Sequence, residues 1–215
     1  DGLGNPTLIE TEKGVEEYEY NENGQLVEGS GPPEVNVFTI GMWHLNEVEG
    51  DVIDSSFNQN NGIAHRCIRG LEGKYDKCYG FDGKHSYVVI PDDDSLDVSK
   101  CFTVEAWIYI KLGKRSRKPQ VIVSKWDVCR EKAFRLMIVN RRLVGEISFD
   151  GKHVERIIYK EKLPVEEWIH VAMTKSITEL ALWVNAEKVK EKEIEGDIYK
   201  SRSPLFIGGE IPGIV

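Results

Sequence analysis

The residues best suited to chemistry in this sequence are carboxylates, and they occur in three groups. Asp92, Asp93 and Asp94 follow one another between two apolar runs. A second group lies in the oxygen-rich stretch "DVIDSSFNQNNG", and a third in "EKEIEGD". Carboxylate oxygens are ligands for calcium, and a pair of carboxylates can hydrolyse a glycosidic bond. Each group is therefore a candidate metal or catalytic site.

The aspartate run is better explained as a turn than as a metal site. Neighbouring side chains of an extended chain point apart, so Asp92, Asp93 and Asp94 cannot all bind one ion without a tight turn. Pro91 before them and Ser95 after them favour a turn whose side chains bond to backbone amides. We predict that the aspartates end one strand and begin the next connection.

The oxygen-rich stretch is a better candidate for a calcium site, because its side-chain oxygens lie within one loop that can surround a hard cation. The candidate ligands are Asp51, Asp54, Asn58 and Asn60. The stretch is not an EF-hand, since it lacks the glycine and the final glutamate of that motif. The alternative is a loop stabilised by hydrogen bonds of its own side chains.

The sequence predicts no catalytic residues. Glu191, Glu193, Glu195 and Asp197 alternate, but lysines surround them, which favours an exposed edge strand whose charges prevent aggregation. The histidines show no metal-ligand spacing, and no Gly-x-Ser-x-Gly or Cys/His signature is present. We therefore expect a protein that is not an enzyme.

Aromatic residues offer a binding surface instead. Glu105, Trp107 and Tyr109 alternate with apolar residues in "FTVEAWIYI", so they share one face of a strand. Aromatic rings present flat apolar faces to a sugar, and neighbouring polar groups bind its hydroxyls. The alternative for each ring is packing within the protein.

The elements that must position these residues are short strands. Many short apolar runs separated by turn residues, without a sustained helical period, predict an all-β fold of antiparallel sheets, a sandwich or a barrel. The predicted strands are 37–45, 62–67, 78–82, 86–90, 102–110, 121–126, 133–140, 143–149, 155–159, 168–174, 179–185, 187–194 and 205–207. In the strand 102–110 the residues that alternate with the aromatic ones are apolar and face the core.

The first 36 residues differ from the rest. "VEEYEYNENGQLVEG" alternates around Asn23-Gly24, a favourable hairpin turn, and "EGSGPPE" then interrupts the pattern. We predict two parts: an N-terminal extension over residues 1–36, either a β-ribbon or a linker, and a main domain over residues 37–215.

Composition excludes several classes of function. The net charge of −8 over 215 residues argues against binding to nucleic acid, which requires clustered Lys and Arg. The one basic run, Lys111 to Lys118, lies between two predicted strands and is expected to be a solvated loop. No apolar run is long enough for a membrane helix, so we expect no direct membrane insertion in this segment. High Glu and Lys content is typical of hyperthermophiles.

The four cysteines predict two disulfides. Cys67, Cys78, Cys101 and Cys129 have no C-x-x-C spacing, which argues against a zinc ribbon or a redox motif. Each lies at an end of a predicted strand. Pairing Cys67 with Cys78 and Cys101 with Cys129 would close one antiparallel connection each.

Several segments in order resemble a known family. They are "YGFDGKHSYVVIPDDDSLDVSKCFTVEAWIY", "IVSKWD", "FRLMIVNRRLVGEISFDG", "WIHVAMTKSITELALWVNAEKV" and "SPLFIGG", preceded by "MWHLNEVEGDVIDSSFNQNNG". Together they cover about residues 40 to 209 and resemble the laminin-G-like family of concanavalin A-like lectin/glucanase jelly rolls. The resemblance implies two antiparallel sheets packed face to face, an extracellular or cell-surface location, and frequently a structural calcium ion. It does not by itself imply an enzyme.

The family order also extends the candidate binding site and raises a question about the last strand. It puts Trp126, Arg135 and Trp183 on strands near Trp107, so Trp126 and Arg135 join the candidate ligand-binding set. The family normally follows "PLFIGG" with a strand of the Ile-Asp-Glu-Val type, whereas this sequence ends at "EIPGIV". We therefore expect a jelly roll whose last strand is missing here, either because the chain is cut or because another strand fills the place.

These observations lead to one function and two alternatives. We expect a non-catalytic, extracellular or cell-surface recognition and adhesion module that binds carbohydrate or a protein partner. The first alternative is a structural subunit of a surface filament or layer that assembles by strand exchange. The second and less favoured alternative is a glycoside hydrolase.

Overall fold

The regular secondary structure of the described residues is almost entirely antiparallel β. The computed structural model describes residues 34–112, 118–127 and 131–209 in full, and the backbone of three strands, β1 (Leu8–Thr11), β2 (Gly14–Tyr20) and β3 (Leu26–Gly29). In these ranges the only helical element is a 3-10 turn, Asp94–Leu96. The predicted all-β class is confirmed.

The larger of two main sheets has seven strands. They are β4 (Ile63–His65), β7 (Tyr87–Ile90), β9 (Gln120–Trp126), β10 (Lys132–Val139), β11 (Arg142–Ile147), β12 (Glu155–Ile158) and β16 (Leu205–Ile207). Their spatial order is β12-β11-β10-β9-β16-β7-β4. The last described strand along the chain, β16, therefore lies inside the sheet, as in a jelly roll.

The smaller main sheet has four strands, and two further small sheets accompany it. Its strands are β8 (Phe102–Tyr109), β13 (Trp168–Lys175), β14 (Glu179–Val184) and β15 (Glu187–Glu193), in the order β15-β14-β13-β8. A separate hairpin joins β5 (Ile68–Glu72) to β6 (Lys77–Gly80). β1, β2 and β3 form a three-stranded sheet, in agreement with the predicted N-terminal hairpin, whose turn lies outside the described residues.

The core fills the space between the two main sheets. Every second residue of each strand contributes to it, because side chains of a strand alternate between faces. Its fully buried members include Val88, Ile90, Leu136, Leu143, Ile147, Val171, Met173, Leu180 and Leu182. Gly145 leaves room for this packing, since a Cβ there would lie 2.6 Å from Met173 Sδ. The predicted inward face of β8, which begins with Phe102, is part of the same cluster.

Two strand predictions were wrong, for different reasons. Residues 37–45 form no strand but a turn and one bridge between Trp43 and Asp54, and Val37 and Phe38 are 80% and 75% exposed. β5 was missed because Gly70, with φ of +74°, interrupts its alternation. The β5–β6 register shifts between Ile68 and Leu71, which is a bulge around this glycine.

The structure shows the aspartate run as a turn, as predicted. β7 ends at Ile90, and Asp93 caps the 3-10 turn by accepting a hydrogen bond of 2.9 Å from the Ser95 amide. Asp92 instead forms an ion pair with Lys125 of β9. The run therefore ends one strand and fixes the connection that leads to β8.

The ammonium group of Lys125 holds this connection against the larger sheet. The side chain is 1% exposed, and its Nζ contacts Asp92 Oδ1, lies 3.7 Å from Asp97 Oδ1 and donates a 3.1 Å hydrogen bond to the Ser203 carbonyl. A buried charge is tolerated only when it is paired and hydrogen-bonded. Lys125 meets both conditions with partners from two separate loops.

The replacement Lys125→Ala tests this role. It leaves Asp97, only 17% exposed, without its cation, and we expect the free energy of unfolding to fall by about 3 kcal/mol. Urea denaturation followed by fluorescence measures the change. Lys84→Ala, at an exposed turn position, is the matched control and should change stability by less than about 0.5 kcal/mol. Equal effects of the two variants would contradict the assignment.

Candidate functional site

The outer face of the smaller sheet carries most of the predicted binding residues. In the β8–β13 register Trp107 lies opposite His170 and Tyr109 lies opposite Trp168. Glu105 is two residues before Trp107 on the same face, since side chains alternate along the strand. The structure thus brings Glu105, Trp107 and Tyr109 together at the edge of the sheet.

The rings on this side form a connected surface, which we call the aromatic face and which comprises Tyr75, Trp107, Tyr109 and Trp168. Tyr75 of the β5–β6 turn meets Trp107 edge-to-face at 6.2 Å between ring centroids, and Tyr109 meets Trp168 in the same way at 5.7 Å. Lys74 Nζ lies 4.7 Å from the centre of the Trp107 ring. Tyr75 and Tyr109 are each 37% exposed, so the surface is accessible to a ligand.

Two carboxylates flank the aromatic face. The Tyr109 hydroxyl donates a 3.2 Å hydrogen bond to Glu166 Oε2, and desolvation together with this carboxylate raises the pKa of Tyr109. Glu105 Oε2 lies 3.5 Å from Nε2 of His170. Flat rings with carboxylates beside them suit the recognition of hydroxyl-bearing ligands.

His170 lies beneath this surface as a neutral group. Only 7% of the residue is exposed, and its ring centroid is 5.4 Å from that of Trp107. Burial lowers the pKa of His170 to about 4, even though the Glu105 carboxylate is close. A neutral imidazole packed under a tryptophan supports the ring and is not exposed to a ligand.

Trp126 and Arg135 lie on β9 and β10 of the larger sheet. The prediction from the family order that they lie near Trp107 was therefore wrong. The Arg135 guanidinium stacks on Trp126, with Cζ 4.5 Å from the ring centre. Arg135 Nε also donates a 2.5 Å hydrogen bond to Glu146, a fully buried carboxylate that Arg156 contacts from the next strand. These residues form an ion-pair row on the outer face of the larger sheet, on the other side of the sandwich.

Trp183 belongs to the smaller sheet but is buried. It is 6% exposed, and its Nε1 donates a 2.9 Å hydrogen bond to Thr174 Oγ1. Lys188 covers the ring, with Nζ 5.4 Å from its centre. Trp183 therefore packs within the protein.

The carboxylate of Asp54 forms hydrogen bonds within its own loop. Asp54 Oδ1 accepts hydrogen bonds from the amides of Met42 and Ser56, and Oδ2 accepts from Ser56 Oγ and the Asn60 amide, all at 2.8 to 2.9 Å. A cation would have to displace these donors. The side-chain NH2 groups of Asn58 and Asn60 donate to the Ile40 carbonyl and to Ser95 Oγ, and Asp51 is exposed. Calcium at this loop stays a prediction.

The predicted Cys67–Cys78 disulfide is contradicted. Both are free thiols. In the β5–β6 hairpin Cys78 lies opposite Leu71, whereas Cys67 precedes Ile68 at the opposite end of β5. A disulfide requires closely adjacent Cα atoms. Burial raises the pKa of the thiols of Cys67 and Cys78. Cys101 is an exposed thiol, and Cys129 lies outside the described residues, so their pairing stays a prediction.

A deep groove runs along β8, between this strand, the β5–β6 hairpin and residues 36–46. Its volume is about 2200 Å³. Its floor consists of core residues from the larger sheet, which are Ile122, Phe134, Ile138, Leu205 and Ile207. The groove also borders Trp107 and Tyr109, so the aromatic face and the groove meet at β8.

Within the described residues, no group of three or more His, Cys, Asp or Glu side chains is arranged to hold a metal ion. In the same residues no helix is long and apolar enough to cross a membrane.

The fold and these surfaces define the class of protein: a two-layer antiparallel β sandwich with a jelly-roll strand order and an aromatic outer face. The family model of the concanavalin A-like lectin/glucanases superfamily, of the laminin G type, matches residues 82–213, more than half of the chain. The chain belongs to this family, and the resemblance seen in the sequence is confirmed. No curated protein matches the sequence.

Solved structures with the same fold include binding domains of a mosquitocidal protein and of a botulinum neurotoxin. The binding domain of Paraclostridial Mosquitocidal Protein 1 superposes with a TM-score of 0.62 at 18% identity, over 78% of this chain and 42% of that one. The receptor binding domain of botulinum neurotoxin C/D mosaic serotype gives 0.60 at 15% identity, over 76% and 41%. This chain spans less than half of either structure, and identities this low show the fold alone.

Sequence reasoning missed Tyr75, Trp168 and Glu166. Tyr75 lies on a hairpin that was not predicted, because the bulge at Gly70 hid β5. Trp168 was placed on a strand but not on the outer face, although its two-residue spacing from His170 put both on one side. Glu166 lies in a loop and has a φ of +60°. The sequence gives no signal for this backbone conformation, so it could not predict that the side chain reaches Tyr109.

The burial of His170 predicts that the free energy of unfolding depends on pH. Its pKa is about 4 in the folded protein and near 6.5 when exposed. The unfolded chain therefore binds the proton first, and stability present above pH 6.5 is lost as the pH falls toward 4, by on the order of 3 kcal/mol. His170→Gln removes this contribution.

Unfolding free energies of the wild type and His170→Gln, measured from pH 7.5 to 4, check the prediction. The wild type should lose more stability than the variant between pH 6.5 and 4, because other titrating groups are common to both. His85→Gln, an exposed histidine, is the control and should follow the wild type. Parallel curves for all three proteins would show that His170 is not buried as a neutral group.

Proposed function

We propose that this chain is a non-catalytic, extracellular recognition module that binds carbohydrate on its aromatic face. The observation that carries the proposal is the set of accessible rings, Tyr75, Trp107, Tyr109 and Trp168, with carboxylates beside them. A sugar ring stacks its C–H face on such rings, while carboxylate oxygens accept hydrogen bonds from its hydroxyls.

The mobility of a lysine side chain makes the central ring available. Lys74 covers Trp107 at 4.7 Å, but it is an exposed residue whose long side chain can move aside. Displacing it exposes the ring without disturbing the sheet. Tyr109 and Glu166 then provide an adjacent ring and an adjacent acceptor, linked by the 3.2 Å hydrogen bond.

Two features support binding without catalysis. The alternating acidic residues of β15 lie on an edge strand, where Lys188 pairs with Glu179 and Glu191, an arrangement that suits a solvated edge. The structures with the same fold are named as binding domains, which supports the same class by analogy of fold. The extracellular location is part of the proposal and follows from the family.

Glycan-array binding of the purified chain tests the proposal. We expect binding to defined oligosaccharides, and a loss of affinity of about fivefold to tenfold in Trp107→Ala and in Tyr109→Ala, because one stacked ring contributes on the order of 1 kcal/mol. Phe57→Ala is the control, since Phe57 is 75% exposed on the Asp54 loop, away from this face.

Three outcomes decide the proposal. Binding that survives in Trp107→Ala and Tyr109→Ala places any sugar site elsewhere. Absence of glycan binding by a folded wild type overturns the carbohydrate proposal and favours a protein ligand. Release of free sugar from an oligosaccharide would show an enzyme.

A further inference from the structure

One edge of the smaller sheet has no partner strand among the described residues. β8 pairs with β13 on one side only, so every second residue of β8 presents its backbone N–H and C=O groups to the groove on the other side. Such an edge is a template for a further strand. Its regular spacing of donors and acceptors matches another extended polypeptide rather than a sugar.

The inward side chains of β8 are also less well covered than those of its neighbour. Val104, Ala106 and Ile108 are only partly buried, although each is core-facing. Their direct partners on β13, which are Met173, Val171 and Ile169, are no more than 1% exposed. Burial of apolar surface is favourable by roughly 25 cal/mol per Å². A segment in the groove therefore gains most if it has apolar side chains at alternating positions.

The opposite wall of the groove is apolar as well. Phe38 and Ile68 line it, and they are 75% and 62% exposed. Ile40 lines the same wall and is 37% exposed. Large exposed apolar residues grouped along a groove mark an interaction site. A strand laid along β8 would contact both walls.

Charge at one end of the groove specifies the orientation of the occupant. Lys111 is exposed where β8 ends and lines the groove. The strand pairs in the described structure are antiparallel, and β8–β13 is one of them. We therefore take an antiparallel orientation for the occupant as well. An antiparallel occupant has its N-terminal end beside Lys111, where acidic residues are favoured.

The longest of the N-terminal strands, β2, is a poor occupant. In β2, "GVEEYEY", one alternating row contains Glu16 and the other contains Glu17 and Glu19. Either row would bring a carboxylate into the apolar groove, which is costly without a partner charge. Exchange of this strand between copies is therefore disfavoured.

We propose that the groove along β8 accepts an antiparallel β-strand from a separate protein. The donor segment is about as long as β8, has uncharged apolar side chains at alternating positions, and has acidic residues at its N-terminal end. This strand site borders the proposed sugar-binding surface, because Trp107 and Tyr109 line the groove as well. The occupant is a polypeptide rather than a sugar, so the peptide and glycan experiments test the two proposals separately.

Selection of peptides from a random phage-displayed library against the full chain tests the proposal. We expect enriched sequences with alternating apolar residues and an acidic N-terminal end. A synthetic copy of an enriched peptide should slow amide hydrogen exchange in β8. The replacement Lys111→Glu should reverse the preference at that end from acidic to basic, whereas Lys190→Glu, on the distant edge strand β15, should leave it unchanged.

A second variant tests the groove directly. Ala106→Arg fills the inward side of β8 and should weaken binding of the synthetic peptide by at least about tenfold. Its melting temperature controls for folding, and Lys111→Glu keeps the proposal testable if this variant unfolds.

Four results would overturn the proposal. The first is enrichment of peptides that lack alternating apolar residues. The second is a peptide that slows amide hydrogen exchange only in residues away from β8. The third is peptide binding only after removal of residues 210–215, which would make this segment of the chain the occupant. The fourth is concentration-dependent oligomers that exclude the peptide, which would make a second copy the occupant.

Discussion

The alternation of side chains along β8 is the constraint on which the rest of the structure depends. Successive residues of a strand point to opposite faces, so Phe102–Tyr109 must supply a core layer and an outer surface at the same time. A shift of one residue in its pairing with β13 would put Trp107 and Glu105 into the core and expose Val104. The aromatic face and the apolar groove are therefore two sides of one strand.

Buried charges fix the loops and strands around this sandwich. Lys125 ties the connection between β7 and β8 to the larger sheet, and Glu146 holds Arg135 in place over Trp126. Removing such groups from water costs free energy that their partners only partly return. Their contribution is therefore best understood as positional: each joins segments far apart in the sequence, which apolar packing alone would leave free to slide.

The sequence predicted the sandwich and the faces of β8 because both follow from a period of two. It also predicted the aspartate turn, which Asp93 forms with the Ser95 amide. It did not predict β5, where the glycine bulge breaks the period, or the separation of Trp126 from Trp107, because periodicity carries no information about which sheet a strand joins. The Cys67–Cys78 pairing failed for a similar reason, since register within a hairpin depends on the bulge.

The two edges of the smaller sheet differ in a way that bears on function. β15, at one edge, reads "EKVKEKE", and its charges oppose pairing with another strand. β8, at the other edge, reads "FTVEAWIY" and has one charged residue, Glu105. Charge therefore disfavours the pairing of a further strand at β15. The residues of β8 do not oppose such pairing in the same way, which is why the proposed partner strand is assigned to this edge.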